Sequence, residues 1–182
     1  MESPFYASIY CSELSFKNKL VRFFWGIIYF LLFKPSPIVF FKWREFLLRI
    51  FGAKIGNHCK IYPTAKVWIP SNLIIGNGVI IGHHVELYNV SKIVIDSEVT
   101  VSQYAHLCTA SHNIESASRE LISKPIKIGK GAWIFANVFI ALGVTINKGA
   151  IVAAGSVVVK DVGAFYVVGG NPASFIKKRE AK

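Results

Sequence analysis

Acidic side chains are scarce in this sequence: 10 Asp and Glu stand against 21 Lys and Arg, a formal charge of +11. Such an imbalance calls for an anionic partner, which a membrane surface, a nucleic acid or a phosphorylated small molecule would each supply. Cysteines are few as well. Cys11, Cys59 and Cys108 are odd in number and form no CxxC pair, which excludes a disulfide framework and fits a reducing cytoplasm. No apolar run is long enough to cross a bilayer unaided: "LVRFFWGIIYFLLF", Leu20 to Phe33, holds 14 residues and includes Arg22, where a spanning helix needs roughly 20. No secretory signal is expected either, because Met1 to Phe16 is mixed, carries Glu2 and Glu13, and no small-residue cleavage site follows the apolar run. Nor do the basic clusters carry interleaved stacking aromatics on a recognisable module, so a nucleic-acid role is not expected. What is abundant is apolar: 53% of 182 residues, enough for one full-sized core and too much for disorder.

Cations concentrate in two places. Lys17, Lys19, Arg22, Lys34, Lys42, Arg44, Arg49 and Lys54 face only Glu45, and Lys177, Lys178 and Arg179 cluster near the end. The first cluster lies in a segment that reads as two apolar helices with basic edges, divided by "KPSP" and stopped at Gly52. Packing against the rest of the protein or a sister subunit is one use for them. Peripheral contact with an anionic membrane is another.

From Ile55 a period of six takes over. Aliphatic residues fall at Ile55, Ile61, Val67; Ile75, Ile81, Leu87; Ile95, Val101, Leu107; and Ile128, Ile134, Ile140, Ile146, Val152, Val158. Small or β-branched residues follow four positions later, among them Cys59, Ala65, Ser71, Val79, Val99, Ala105, Ser111, Ala132 and Ser156. Six fits neither a 3.6-residue helix nor a hairpin. It fits a short strand that turns one large and one small side chain to an axis, then a tight corner, three times per coil of a solenoid. Steps of 20 residues between Ile55, Ile75 and Ile95 imply a slight corner insertion in each coil. General rules predict right-handed crossovers for parallel strands.

One stretch breaks the rule. Between Leu107 and Ile128 lie "TASHN" and the polar "IESASRELISKP", which cannot fill a narrow axis. One face is therefore expected to give way to an outward loop over residues 112–126, with no secondary structure of its own. Of five histidines, His58, His83 and His84 occupy corners, and His106 and His112 the outward sixth position; only His112 stands where the loop departs. An imidazole shielded between coil and loop suits a general base acting on a hydroxyl, with a loop-anchoring histidine as the plainer alternative. Metal chemistry has only His83-His84 and His106-x5-His112 to draw on, without a carboxylate-rich outer shell, so no metal is expected.

The segments "VSQYAHLCTASHN", "KPIKIGKGAWIFANVFIALGVTI", "AAGSVVVKDV" and "GGNPASFIKKR", with "KWREFLLRIFGAKIG" ahead of them, resemble the hexapeptide-repeat acetyltransferases of exopolysaccharide biosynthesis, the colanic-acid WcaF type. The likeness runs from about Leu14 to Arg179 and extends to the maltose, galactoside and nodulation-factor acetyltransferases. It implies an all-β solenoid, a left-handed parallel β-helix over 55–170, with a helical segment at 1–54 and a basic tail at 171–182. It implies acetyl-CoA as co-substrate and a sugar or glycan acceptor, with His112 as the base in a direct transfer and no acyl-enzyme. Trp133 matches a tryptophan lining the cofactor groove, Ala136 and Ala154 positions whose backbone holds the pantetheine arm, and Val159, Lys160 and Lys177 positions at the nucleotide end. Ser174 stands where the sugar acetyltransferases carry an arginine, which shifts those contacts toward Lys178 or Arg179. Asn89 is the remaining asparagine on the acceptor side. The family forms trimers with the groove between subunits, and the outward Trp133, Phe135 and Phe139 agree with such a contact. N-acetylation of an amino-sugar nucleotide, or a non-catalytic assembly platform, are the competing functions.

Overall fold

The computed structural model describes residues 16–180; Cys11 and the segment judged for a secretory signal lie outside them, save Phe16. Two helices, α1 (Phe16–Ile28), continued by a π-helical turn (Tyr29–Phe33), and α2 (Phe41–Ile50), precede a stack of very short strands. The strands make three parallel faces. Face A holds Lys54–Ile55, Leu73–Ile75, Ile93–Ile95, Ile126–Ile128 and Thr145–Ile146; face B runs from Lys60–Ile61 up to Tyr166–Gly170; face C runs from Lys66–Val67 up to Val157–Val158. The chain visits A, B and C in turn and then stacks on itself. This is a left-handed parallel β-helix, the reverse of the usual hand for parallel crossovers.

The six-residue rule produces this directly. On face B, Ile61, Ile81, Val101, Ile134, Val152 and Val168 stand in register, all buried. Between coils the backbone closes its own hydrogen bonds: Lys60 N–H donates to Val79 O at 2.8 Å and Ile80 N–H to Val99 O at 2.9 Å. Corners turn through left-handed residues, which explains His58 (φ 58°) and His84 (φ 55°). Gly129 serves close approach instead: a Cβ there would lie 2.6 Å from the Lys148 nitrogen of the next coil.

Several expectations need correction. No face is lost at the interruption. Leu107 lies in the face-C strand His106–Cys108, Ile126–Ile128 is the next strand of face A, and everything between is an enlarged corner. The two smaller insertions occupy the same corner lower in the stack. There Ser71 is exposed in a 3-10 turn (Pro70–Asn72), and Ile69 takes the buried place. Ser111 is likewise exposed rather than inward. The excursion is not structureless, because Ala110–His112 pairs antiparallel with Leu121–Ser123 to make a hairpin. The end of the chain is also more ordered than a tail: Ala173–Lys178 forms an antiparallel edge strand on Tyr166–Gly170.

The helical layer sits under the first coil and completes its hydrogen bonding. Carbonyls of higher coils receive N–H groups from the coil below, as Ile75 O does from Gly56 and Ile81 O from Tyr62. No coil lies below Ile55, Ile61 and Val67. Their carbonyls accept instead from Arg49 Nη2 (3.0 Å), Arg44 Nε (2.6 Å) and Trp25 Nε1 (2.8 Å), one donor per face. Arg44 is wholly buried and also donates to Pro37 O and Ser36 Oγ at 2.8 Å each and to Ile38 O. Burial pushes its guanidinium pKa below the ordinary value. Trp25, Phe33, Leu47 and Leu48 fill the space between the helices and the coil.

Candidate active site

The hairpin is rooted by a buried hydroxyl. Thr109 Oγ1 donates to Tyr88 O at 2.8 Å and accepts from Ser91 N–H at 3.0 Å, while Lys124 N–H donates to Thr109 O at 2.9 Å. His112 ends the outgoing strand and is exposed. Its Nδ1 lies 2.6 Å from the carbonyl oxygen of Arg119. A carbonyl only accepts, so in the neutral ring Nδ1 carries the proton and Nε2 is the basic nitrogen. Arg119 can aim that carbonyl because it adopts φ 47° at the tip. Glu120 ties the tip together, accepting from Asn113 Nδ2 at 2.9 Å and Ser118 Oγ at 3.1 Å. Those hydrogen bonds, Asn113's foremost, hold its carboxyl below the usual range.

The other expected site residues fall into separate groups. Val159 and Lys160 are exposed just after the face-C strand Val157–Val158, at the same C-to-A corner as His112 but two coils higher, roughly 10 Å along the axis. Trp133 is on face B, 45% exposed, its indole N–H donating to Ser102 Oγ at 3.2 Å and its ring 4.7 Å from that of Phe135. Ala136 and Ala154 occupy the B-to-C corner one coil apart, joined by Gly155 N–H to Ala136 O at 2.9 Å. Lys177 is exposed on the edge strand, opposite Val167. In a three-sided tube, face B lies opposite the corner between C and A. A single chain therefore turns His112 and Trp133 away from each other.

Asn89 departs from its expected place on the acceptor side. It is fully buried, its Oδ1 accepting from Ile69 N–H (2.9 Å) and its Nδ2 donating to Ile69 O (2.7 Å). The inserted corner residues leave the Ile69 peptide without a coil partner, and a carboxamide supplies both a donor and an acceptor. Phe135 and Phe139 are half-buried, so the outward stripe is narrower than expected and centred on Trp133. His83 Nδ1 lies 3.0 Å from the Thr64 hydroxyl, His84 stacks on Tyr104, and His106 packs edge-on against Phe139. Among the described residues no three metal-ligating side chains converge. Arg119 and Ser102, which orient His112 and Trp133, were not singled out from sequence. Ser102 is 31 residues from Trp133, and only the coil register, Thr100 beside Trp133, brings them together.

A parallel β-helix with one histidine-bearing hairpin at a corner is the architecture of a hexapeptide-repeat acyltransferase. No family model matches the chain. The chain is 41% identical over 155 residues, 85% of both sequences, to the protein assigned as colanic acid biosynthesis acetyltransferase WcaF in Escherichia coli K12. It superposes with TM-score 0.84 and 29% identity on a hexapeptide-repeat acetyltransferase of Vibrio cholerae O1 biovar eltor solved with acetyl coenzyme A, covering 93% of each chain. A maltose O-acetyltransferase from Clostridium difficile 630 gives TM-score 0.80 at 27% identity, over 92% of this chain and 90% of that one. The chain belongs to the hexapeptide-repeat acetyltransferases, and within them to the WcaF type of polysaccharide biosynthesis.

Proposed function

We propose that the protein is an acetyl-CoA-dependent O-acetyltransferase that acetylates a sugar hydroxyl during assembly of an exopolysaccharide or cell-envelope glycan, working in the cytoplasm as a homotrimer. The observation that carries the mechanism is the 2.6 Å contact between His112 Nδ1 and Arg119 O. It presents Nε2 as the base. As the acceptor oxygen attacks the thioester carbonyl, Nε2 takes the hydroxyl proton; as the carbon–sulfur bond breaks, the imidazolium returns that proton to the departing thiolate. The acetyl group passes directly to the sugar and no acyl-enzyme forms.

The placement of the groups supports the trimer. His112 at the C-to-A corner meets Trp133 on face B only if they come from neighbouring protomers. Trp133 lines the co-substrate groove, the small Ala136 and Ala154 leave room for the pantetheine arm, and Val159 packs near its nucleotide end. Lys160 and Lys177, exposed cations, meet the phosphates. His112→Ala tests the reading: coenzyme A release with glycan acceptors is expected to fall about 100- to 10,000-fold, with the mass in sedimentation unchanged. Turnover at the wild-type rate contradicts the assignment.

A further inference from the structure

The helical layer has more apolar surface than the solenoid can use. A surface helix normally carries one apolar stripe, facing its core. In α1 that stripe centres on the buried Trp25. A second stripe, Phe16, Leu20, Phe23 and Ile27, follows the same helical spacing on the far side and is 41–80% exposed. Phe30 and Leu31, 69% and 67% exposed, extend it into the π-helical turn. The outward side of α2 adds Phe46 and Ile50. The two helices join there: Trp43 Nε1 donates to Leu32 O at 3.1 Å, and Leu31, Leu32, Pro35, Phe40 and Trp43 line one shallow cavity.

Cations flank this surface and acids do not. Lys19, Lys34, Lys42 and Arg49 are exposed. The single acid between residues 16 and 50, Glu45, is buried and paired with Arg49. Beside α1 a cavity of about 560 Å³ sets Lys19, Arg22 and Lys66 next to Phe23, Phe30 and Trp68. Arg22 lies over the Trp68 ring at 3.7 Å. Cations beside aromatics match the boundary where lipid phosphates give way to acyl chains. Among the described residues no helix is long and apolar enough to cross a membrane. The same layer of a second copy, meeting it face to face, is a poor cover, since it would bring like charges together with no exposed acid between residues 16 and 50 to offset them.

We infer that this layer docks the protein in the plane of an anionic phospholipid surface, α1 and α2 lying along it with their second apolar stripes inserted. The full-length protein is tested by co-sedimentation with vesicles of phosphatidylglycerol and phosphatidylcholine against phosphatidylcholine alone. The wild type is expected to pellet with the anionic vesicles and to be partly released by salt. Lys19→Gln/Lys34→Gln/Lys42→Gln should weaken binding about 100-fold, roughly fivefold per cation near the surface. Phe23→Ser/Leu31→Ser should weaken it at least as much, with an unchanged melting temperature because both residues are exposed. Wild type left in the supernatant, equal binding to both vesicle types, or binding unaffected by the charge variant overturns the inference. So does a fall in lipid-free oligomer mass in Phe23→Ser/Leu31→Ser, which would assign the stripe to a second copy. None of these readouts involves acetyl transfer, so their outcome is separate from that of His112→Ala.

Discussion

Between Lys54 and Val158 each coil satisfies its backbone through the coil beside it, whereas the layer from Phe16 to Ile50 satisfies backbone that is not its own. The solenoid can do this because every strand repeats the same spacing, so N–H and C=O groups meet wherever two coils stack. A stack of that kind has ends. At the lower end Arg49, Arg44 and Trp25 replace the missing coil, one donor for each face. The difference teaches that a repeat specifies its interior completely and its termini not at all. The cap must be written in another code.

The largest effect expected from breaking that division is at Arg44. Arg44→Ala removes the donor to Ile61 O together with those to the more open Pro37 O and Ile38 O, leaving the buried Ile61 carbonyl unmet at a cost of about 1–3 kcal/mol. Urea unfolding followed by Trp fluorescence and by far-ultraviolet circular dichroism should then show two separated transitions, the helical layer loosening first. Coincident transitions would mean that layer and solenoid remain one cooperative unit without the guanidinium. Arg44→Met keeps much of the volume without the donors, so the same separation there assigns the effect to hydrogen bonding rather than packing.

A single substitution type sharpens the contrast further. Gly129→Ala places a Cβ against the Lys148 backbone and should destabilise by about 1–3 kcal/mol. Gly26→Ala lies within α1 with nothing within 4 Å and should stabilise by roughly 0.5–1 kcal/mol. Melting temperatures of the two variants are expected to move in opposite directions. Movement in the same direction would remove the distinction between a coil limited by stacking distance and a helix limited by chain entropy.

The columns of the solenoid were legible because aliphatic residues six apart have one physical use, and the structure buries all of them but the half-buried Ile55. Its corners were less so. Ser71 and Ser111 kept the spacing yet lost the inward place, since insertions at the C-to-A corner carry the chain outside the tube before face A resumes. Asn89 was read as facing the acceptor, and what makes it internal is a peptide group 20 residues away. In the helical layer the elements were legible but their buried sides were not, because both sides of α1 are apolar. Arg44 was indistinguishable in sequence from the exposed cations around it. For the site, His112 was marked by the break in period, while its orientation depends on the carbonyl of Arg119, which follows only from the hairpin's turn.

The smallest effect lies at that turn. Glu120 is exposed, yet Asn113, Ser118 and Ser116 hydrogen-bond its carboxylate and hold its pKa below the unfolded value. Its contribution to hairpin order is therefore complete above the unfolded pKa and fades as pH falls through the lower, folded one. Near neutrality the tip keeps its closure and Arg119 its carbonyl toward His112. In acid the closure weakens, and the ring loses the partner that fixes its tautomer. Hydrogen exchange at the Leu121–Ser123 strand should show protection falling on acidification in the wild type, after correction for intrinsic rates. In Glu120→Gln that pH dependence should vanish, with kcat at neutral pH lowered by less than about tenfold. Equal pH dependence in both proteins would show that His112 is oriented by the strand pairing of the hairpin alone, and that its polar tip adds nothing.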